Sequence, residues 1–239
     1  MSKIPDLTDP RYLDEVGWFL YHEKYERDKF GGSYDNERLA YSRLLLEEVL
    51  KYMGRDERWL KGKTVVSIGC GCTGDLASFP AALKIAIDPL LNVYQKLGML
   101  LIDVEGTSQT VYLSMDSEDL PLVDNYADLV LCRNALDHMP DPGKALREFQ
   151  RILKNDGSLF VSVDIGGAPT PDEPTVFSIE SLSALIEDQF KMLLLEKNQP
   201  PHSVGRDSSV RLLAKKKKPR ISPAFDKEKI LKAYESRIS

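Results

Sequence analysis

The chain has 239 residues, of which 42% are hydrophobic and 29% are charged, a composition typical of a soluble globular protein. This length suits one α/β domain with additional segments better than two full domains. The net charge of −5 predicts no general attraction to nucleic acid or to an anionic membrane. No apolar run approaches the roughly 20 residues that span a bilayer, so we expect no membrane span.

The first ten residues have neither the basic start nor the apolar middle of a signal peptide. Together with the odd number of cysteines, this predicts a cytoplasmic protein with reduced thiols. The cysteines are Cys70, Cys72 and Cys132. A metal site needs about four ligands, and nothing clusters with Cys70 and Cys72 along the chain, so we expect no metal.

Two helices are predicted before the first strand. Residues 11–30 are rich in aromatic and charged residues, and residues 36–53 place leucines three and four positions apart, as an amphipathic helix does. We interpret residues 1–58 as a helical N-terminal cap. The aromatic residues of the first helix allow two compatible interpretations: a lid over a pocket, or a helix packed on the edge of the sheet.

From Thr64 onward, short apolar runs alternate with helical segments, a pattern typical of a parallel sheet covered on both faces. No helical segment separates the last two runs, so these two strands are expected to be antiparallel. We predict an α/β fold over residues 59–218: a Rossmann-like, seven-stranded, mostly parallel sheet whose last strand is antiparallel. The predicted strands are 64–68, 84–87, 110–114, 127–132, 158–163, 190–196 and 209–215, and the helices among them are 90–103, 142–154 and 178–189.

The remaining segments are interpreted as a loop and a tail. Residues 165–177 contain three prolines and predict a loop that could cover a pocket. Residues 219–239 predict a basic C-terminal tail with a short helix at 223–238. The run "KKKKPR" at 215–220 has no interleaved aromatic residues for base stacking, so we interpret it as solvated and expect no nucleic-acid partner.

A glycine motif follows the first predicted strand. Gly69, Gly71 and Gly74 form G-x-G-x-x-G, which permits a tight turn and a close approach by a ligand near the free N–H groups of a following helix. Asp88 ends the second strand, where an acid typically accepts hydrogen bonds from ribose hydroxyls. The pattern predicts a nucleoside-bearing ligand at the carboxyl end of the sheet. The competing interpretation is a tight turn and a helix cap.

Four segments occur in a characteristic order: "VVSIGCGCTGDL", "AIDP", "SMDSEDLPLVDNYADLVLCRNALDHMPDP" and "ALREFQRILKNDGSLFVSV". Together they resemble the class I S-adenosylmethionine-dependent methyltransferases, in the branch similar to the ubiquinone and menaquinone biosynthesis enzymes. The resemblance is close over residues 60–165 and looser to about 215. It implies S-adenosylmethionine as cofactor and a small-molecule or saccharide acceptor, methylated on oxygen. The phrase "IDPLLNVYQKLGM" is similar to methyltransferases of polysaccharide assembly, which favours a sugar hydroxyl. The oligomeric state is left open.

The resemblance also implies a set of cofactor-binding residues. The loop glycines Gly69, Gly71 and Gly74 lie under the methionine, and Asp88 binds the ribose. Pro89 and Leu90 lie against the adenine, and the acidic turn of Met115, Asp116 and Ser117 meets the adenine amino group. Arg133 and Asn134 stand beside the methyl group and the acceptor.

One position departs from the family pattern. Ser67 stands two residues before the first glycine, where the family usually has an acid that helps to hold the ammonium end of methionine. A serine hydroxyl accepts a hydrogen bond but brings no charge. The way in which the methionine end is held is therefore open.

His138 is the candidate general base, which is needed only if the acceptor must lose a proton, as a hydroxyl must. The alternative is a histidine that fixes the loop after the fourth strand, and Asp137 and Asp164 are weaker candidates of the same kind. Two other classes of function stay open: a nicotinamide-dependent oxidoreductase, and a non-catalytic methyltransferase-like subunit that supports a partner.

Overall fold

The structure is a computed structural model that describes residues 8–25, 34–72, 74–100, 107–199 and 205–217. Five helices and seven strands follow one another along these ranges. The helices are α1 Pro10–Tyr25, α2 Tyr34–Met53, α3 Leu91–Lys96, α4 Pro142–Ile152 and α5 Ile179–Gln189. The strands are β1 Thr64–Ile68, β2 Leu83–Ile87, β3 Thr110–Leu113, β4 Ala127–Arg133, β5 Leu153–Ile165, β6 Phe190–Gln199 and β7 Ser208–Lys216. The predicted C-terminal helix at 223–238, like parts of the predicted helices 11–30 and 90–103, lies outside the described residues.

The seven strands form one sheet in the order β3-β2-β1-β4-β5-β7-β6. Strand β1 is parallel to both β2 and β4, whereas β7 is antiparallel to both of its neighbours, β5 and β6. The predicted sheet with an antiparallel last strand is therefore confirmed. The strand order reverses between β1 and β4, and in open α/β sheets ligands bind at the carboxyl ends of the strands at such a point.

Both faces of the sheet are covered, because successive side chains of a strand point to opposite faces. On one face Val65 packs with Leu46 and Val49 of α2. On the other face Val66 and Ile68 belong to the largest core cluster, to which α4 and α5 also contribute. Helix α4 begins after Asp141, whose side chain accepts a hydrogen bond from the Lys144 N–H, and Pro142 occupies its first turn.

Helix α1 closes the carboxyl end of the sheet near the glycine loop. Its Val16 and Phe19 are buried together with Tyr94 of α3, and the Phe19 and Tyr94 rings meet edge to face at 5.6 Å. Trp18, on the outer side of α1, remains 52% exposed. The predicted boundaries of a cap at 1–58, a domain at 59–218 and a tail at 219–239 stay predictions.

The connection from β1 to β2 differs from the expectation of a helix after the glycine loop. Residues 74–78 form turns, and in the described part of this connection no regular helix follows the loop. Only five residues separate Gly74 from Pro80, and a proline cannot continue a helix. The turn instead buries Leu76 and Phe79 against the α2 side of the sheet. Among all the described helices, none is long and apolar enough to cross a membrane.

Candidate functional site

The glycine loop requires glycine for two separate reasons. Gly69, Gly71 and Gly74 all have positive φ angles, which other residues rarely adopt. A Cβ at Gly69 would lie 2.2 Å from the Cβ of Ala135, and one at Gly71 would lie 3.0 Å from Cζ of Phe19. The loop backbone is thus held between α1 on one side and the segment after β4 on the other.

Asp88 lies at the carboxyl end of β2 and is 8% exposed. One of its carboxylate oxygens accepts a hydrogen bond of 3.0 Å from the N–H of Gly71, and the other accepts one of 2.8 Å from the N–H of Leu90. Burial raises the pKa of Asp88 to about 6, against the lowering effect of these two bonds. Each oxygen retains a free lone pair, so the carboxylate can accept further hydrogen bonds from a ligand.

A cleft with about 750 Å³ of empty space, including open solvent at its mouth, lies beside Asp88. The structure brings nine of the residues expected at the site together along its walls. These are Gly69, Asp88, Pro89, Leu90, Met115, Asp116, Ser117, Asn134 and His138.

Ser67, Gly71, Gly74 and Arg133 do not line this cleft. Gly71 contributes through its hydrogen bond to Asp88. Ser67 is 1% exposed, and its hydroxyl lies 3.2 Å from Oδ2 of Asp75, a carboxylate that is itself 5% exposed. Asp75 therefore places a buried acid beside the position where the family has one. Asp75 was not predicted as a site residue, although it stands directly after Gly74.

Helix α1 and the loop after β5 bring side chains to the cleft that were not predicted from the sequence. Arg11, Tyr12 and Glu15 of α1 line it, and so does Asp172 of that loop. Tyr12 belongs to the aromatic segment that was interpreted as a lid or as a packed helix. Helix α1 is packed, since its Phe19 is buried, and its Tyr12 faces the cleft. The lid interpretation stays a prediction. Glu15 and Asp172 carried no local signal, since only the tertiary fold brings them near His138.

His138 is surrounded by carboxylates from three parts of the chain. Its Nδ1 lies 3.8 Å from Oε2 of Glu15, and its Nε2 lies 3.8 Å from Oε1 of Glu173 and 4.0 Å from Oδ1 of Asp137. Burial lowers the pKa of His138, and this outweighs the opposite effect of Glu173 and Asp172. The imidazole is therefore neutral at pH 7 and able to accept a proton.

Several polar atoms at this end of the cleft have no hydrogen-bond partner among the residues that the structure describes. They are Oδ1 of Asn134, both carboxylate oxygens of Asp137 and Nε2 of His138. Asn134 also has a φ of 45°, an uncommon backbone conformation for a residue other than glycine. Buried, unpartnered polar groups are rare and call for an explanation, of which a missing ligand is one.

The pKa values of two carboxyl groups near His138 are raised. Burial raises the pKa of Asp137 to about 8, with Glu173 the next cause, and burial raises the pKa of Glu15 to about 8, with Asp88 the next cause. Glu173 is also paired with the buried Arg206. The acceptor end of the cleft therefore concentrates carboxyl groups in a poorly hydrated environment.

Two overlapping groups in this region could hold a metal ion. Glu15, His138 and Asp172 form one, and Asp137, His138 and Glu173 form the other, each with possible ligand atoms within 4.8 Å of one another. The prediction that the protein binds no metal rested on cysteine spacing alone. For these two groups it stays a prediction.

The comparisons with known proteins agree with this geometry. Residues 66–161 match a family described as a methyltransferase domain. Over these residues the chain is similar to methyltransferase domains, which supports the expected resemblance to class I S-adenosylmethionine-dependent methyltransferases. It is 30% identical over 119 residues to a ubiquinone biosynthesis O-methyltransferase of Coxiella burnetii, a match covering 47% of this chain and 48% of that protein. A relative of the same description from Nitrosomonas europaea is 32% identical over 120 residues, again covering 47% and 48%. The chain thus spans about half the length of these relatives.

Solved methyltransferase structures share the fold at low sequence identity. A 1,6-didemethyltoxoflavin-N1-methyltransferase of Burkholderia thailandensis, with its substrate and S-adenosylhomocysteine bound, has a TM-score of 0.55 at 17% identity, covering 90% of this chain and 93% of that chain. An S-adenosylmethionine-dependent methyltransferase of Methanosarcina mazei has a TM-score of 0.54, also at 17% identity, covering 65% and 92%. The Rossmann-like methyltransferase architecture is therefore confirmed.

The cleft has features that suit S-adenosylmethionine, the cofactor of the family that the chain resembles. Asp88 has unused acceptor capacity for ribose hydroxyls, and Gly69 presents backbone without a side chain at the cleft wall. Met115 and Asp116 offer an apolar and an acidic contact near Pro89. The residues present therefore fit the cofactor.

Proposed function

We propose that this protein transfers a methyl group from S-adenosylmethionine to the oxygen of a small-molecule or saccharide acceptor. The observation that carries the proposal is the cleft at the carboxyl ends of β1, β2 and β4, which brings Gly69, Asp88 and Asp116 together with His138. The relatives named as ubiquinone biosynthesis O-methyltransferases support oxygen as the methylated atom.

The proposed cofactor contacts follow the walls of the cleft. Asp88 binds the ribose hydroxyls, Pro89 and Met115 pack against the adenine, and Asp116 accepts a hydrogen bond from its amino group. Gly69 and Asn134 lie beside the methionine portion and the methyl group. The cofactor supplies an electrophilic methyl carbon, so the protein has to align acceptor, carbon and sulfur and to exclude water.

The acceptor is proposed to bind between α1 and the loop after β5, because Glu15, His138 and Asp172 line that end of the cleft. His138 is placed to take the proton of an acceptor hydroxyl while the new oxygen–carbon bond forms. Its lowered pKa keeps the imidazole in the neutral form that this role needs. Tyr12 and Glu15 would then close over the bound acceptor.

Calorimetric titration of the purified protein tests the proposal. We expect S-adenosylmethionine and S-adenosylhomocysteine to bind and NAD not to bind. Asp88→Ala should weaken binding of both sulfur compounds by about 1.5–3 kcal/mol, the range for hydrogen bonds to a charged group. Asp119→Ala, an exposed acid that does not line the cleft, is the matched control and should bind as the parent does.

Binding of NAD with neither sulfur compound bound would establish the oxidoreductase alternative instead. Parental affinity in a folded Asp88→Ala variant would show that the ribose site is misplaced. A second measurement follows transfer of a labelled methyl group to a panel of saccharides, phenols and amines. Turnover with an amine alone would contradict oxygen as the acceptor atom, and cofactor binding without turnover on any of them would favour a non-catalytic subunit.

A further inference from the structure

Arg206, two residues before β7, fastens the loop after β5, which runs over residues 166–178. Its Nε donates a hydrogen bond of 2.6 Å to Oε2 of Glu173, and its Nη2 donates to the same oxygen. Its Nη1 donates hydrogen bonds of 3.0 Å to the carbonyl oxygens of Gly166 and Ala168. One guanidinium therefore holds both the start and the middle of the loop. We call this set of contacts the clamp.

The clamp is buried and closely packed. The side chains of Arg206 and Glu173 are only 4% and 6% exposed. A Cβ at Gly167 would lie 2.6 Å from the carbonyl oxygen of Gly205 and 3.1 Å from Cδ of Arg206, and the φ of Gly167 is 79°. Glycine at this position thus permits the loop backbone to lie directly against the turn before β7.

The clamp lies behind the part of the loop that reaches the acceptor end of the cleft. Oε1 of Glu173, the carboxylate oxygen on the side away from the clamp, is 3.8 Å from Nε2 of His138. The preceding residue, Asp172, lines the cleft. Two residues further on, the N–H of Thr175 donates a hydrogen bond to the carbonyl oxygen of Asp137. Glu173 therefore lies between the clamp and the candidate base.

We propose that Arg206 is a positioning residue for methyl transfer, which holds Glu173 against His138 and Asp172 at the acceptor wall; this role rests on the proposed function. The loop contains no regular helix or strand, so its position depends on side-chain contacts such as the clamp. An acceptor has to meet His138 in one geometry, because a displacement of about 1 Å can lower a rate by roughly 10²-fold.

A clamp that only stabilises the fold gives a different expectation. Replacement of Arg206 would then lower the melting temperature and raise hydrogen exchange at all protected amides alike. A positioning residue instead holds one loop, so its loss loosens that loop selectively and lowers acceptor turnover while cofactor affinity is kept.

Arg151 of α4 provides a matched control. Its guanidinium also binds one glutamate, Glu148, and two backbone carbonyl oxygens, those of Leu120 and Leu122. None of these four residues lines the cleft. Arg151→Met therefore removes the same kinds of contact at a place that does not hold the loop after β5.

Hydrogen exchange followed by NMR tests the clamp without any acceptor. In Arg206→Met, the amides of Glu173 and Thr175, both hydrogen-bonded at this loop, should exchange roughly 10- to 150-fold faster, the factor for loss of a charge-assisted hydrogen bond. The two amides that donate to Asp88 should change no more than they do in Arg151→Met.

Transfer of a labelled methyl group to the acceptor found with the panel tests the positioning role. Arg206→Met should lower kcat/KM for the acceptor by roughly 10²-fold, with the affinity for S-adenosylhomocysteine unchanged. Arg206→Lys keeps the charge but not the planar fork, so its loss should be smaller. Because Glu173 acts through the same contact, adding Glu173→Gln to Arg206→Met should cause little further loss. Arg151→Met should keep the parental kcat/KM.

Each outcome decides the inference. Loop exchange no faster in Arg206→Met than in Arg151→Met, or faster loop exchange with a parental kcat/KM, would overturn it. If Arg206→Met does not fold in a thermal melt, Arg206→Lys replaces it, and parental exchange and turnover in that variant are the contradicting results. A parent that binds the cofactor and methylates no member of the panel overturns the proposed function and this role with it. Selective loop exchange in Arg206→Met then distinguishes that failure from a clamp that does not form.

Discussion

The two ends of the cleft differ in how their polar groups are satisfied. At the expected adenosine end, both oxygens of Asp88 accept backbone hydrogen bonds, from Gly71 and from Leu90. At the expected acceptor end, both oxygens of Asp137 and one atom each of Asn134 and His138 have no partner among the described residues. Each Asp88 oxygen already has one backbone partner and keeps capacity for a second, whereas the other end has buried polar atoms with none among the described residues. We call the first the complete end and the second the unsatisfied end.

The two ends of the cleft differ in this way because different segments of the chain build them. The adenosine end is built by the short turns that follow β1, β2 and β3, so its hydrogen bonds form within neighbouring segments. The acceptor end assembles α1, the turn after β4 and the loop after β5, which are far apart in sequence. We infer that the first end binds the constant ligand of the family and the second end the ligand that differs between enzymes.

The largest effect is expected from a backbone change at the complete end. In Gly69→Ala, the new methyl group would meet Ala135 at 2.2 Å and the residue would have to keep a φ of 68°. The strained backbone costs about 1–3 kcal/mol and the overpacking a further ~1–3 kcal/mol. The free energy of unfolding, measured by denaturant titration, should fall by the sum of both.

Gly98→Ala is the matched control, because Gly98 has a φ of 71° but nothing within 4 Å of the added methyl group. It should therefore show the backbone cost alone. If the two variants lose equal stability, the contact with Ala135 is not rigid and the loop is more adaptable than the structure indicates.

The complete end was largely predictable from the sequence, because its signals are local. The glycine motif and the acid after β2 each follow their strand directly, and Gly69 and Asp88 both lie on the cleft wall. Arg133 was also expected at the site, but it does not line the cleft. The prediction of a helix after the glycine loop was wrong, because Pro80 leaves too few residues for a helix.

The acceptor end was predictable only in part. His138 could be found because it follows β4 directly, whereas Glu15, Asp172 and Glu173 reach it from α1 and from the loop after β5. Neither of these segments carries a periodicity that reveals which side chain faces a cleft. Asp75 was missed for another reason: the departure at Ser67 was considered alone, and a compensating acid eight residues later has no fixed sequence spacing.

The second prediction concerns the rate at the acceptor end. If His138 takes a proton from an acceptor hydroxyl, His138→Asn should lower the methyl-transfer rate by roughly 10²–10⁴-fold. The rate of the parent should also rise with pH through a histidine pKa below the usual 6.5, and this rise should be absent from the variant. The pH–rate profiles of both proteins, on an acceptor identified with the labelled methyl group, measure this.

Cofactor binding provides the control for His138→Asn, since the affinity for S-adenosylhomocysteine should stay parental while the rate falls. A near-parental rate with an unchanged profile and a lower melting temperature would identify His138 as a residue that only fixes the turn after β4. Alignment of the acceptor with the methyl carbon would then account for the reaction without a base.

The smallest expected effect concerns the pH dependence of stability at the unsatisfied end. Asp137 has a pKa raised to about 8 in the folded protein, against about 3.9 when unfolded, because it is buried without a partner. Between these values the folded state binds more protons than the unfolded state, so the contribution of Asp137 to stability falls as pH rises from about 4 to about 8. Asp137→Asn cannot ionise and removes this contribution. The variant should therefore gain stability relative to the parent at pH 8, by on the order of 1–3 kcal/mol, the penalty for a buried unsatisfied group, and less at pH 5.

Glu15 and Asp88 change stability in the same direction and His138 in the opposite one, but all three remain in both proteins and largely cancel in the difference. Thermal melts from pH 5 to pH 8.5 measure that difference, with the exposed Asp119→Asn as the control that should follow the parent. Parallel curves for Asp137→Asn and the parent would mean that Asp137 is solvated or partnered in solution, and the contrast between the two ends of the cleft would then not hold.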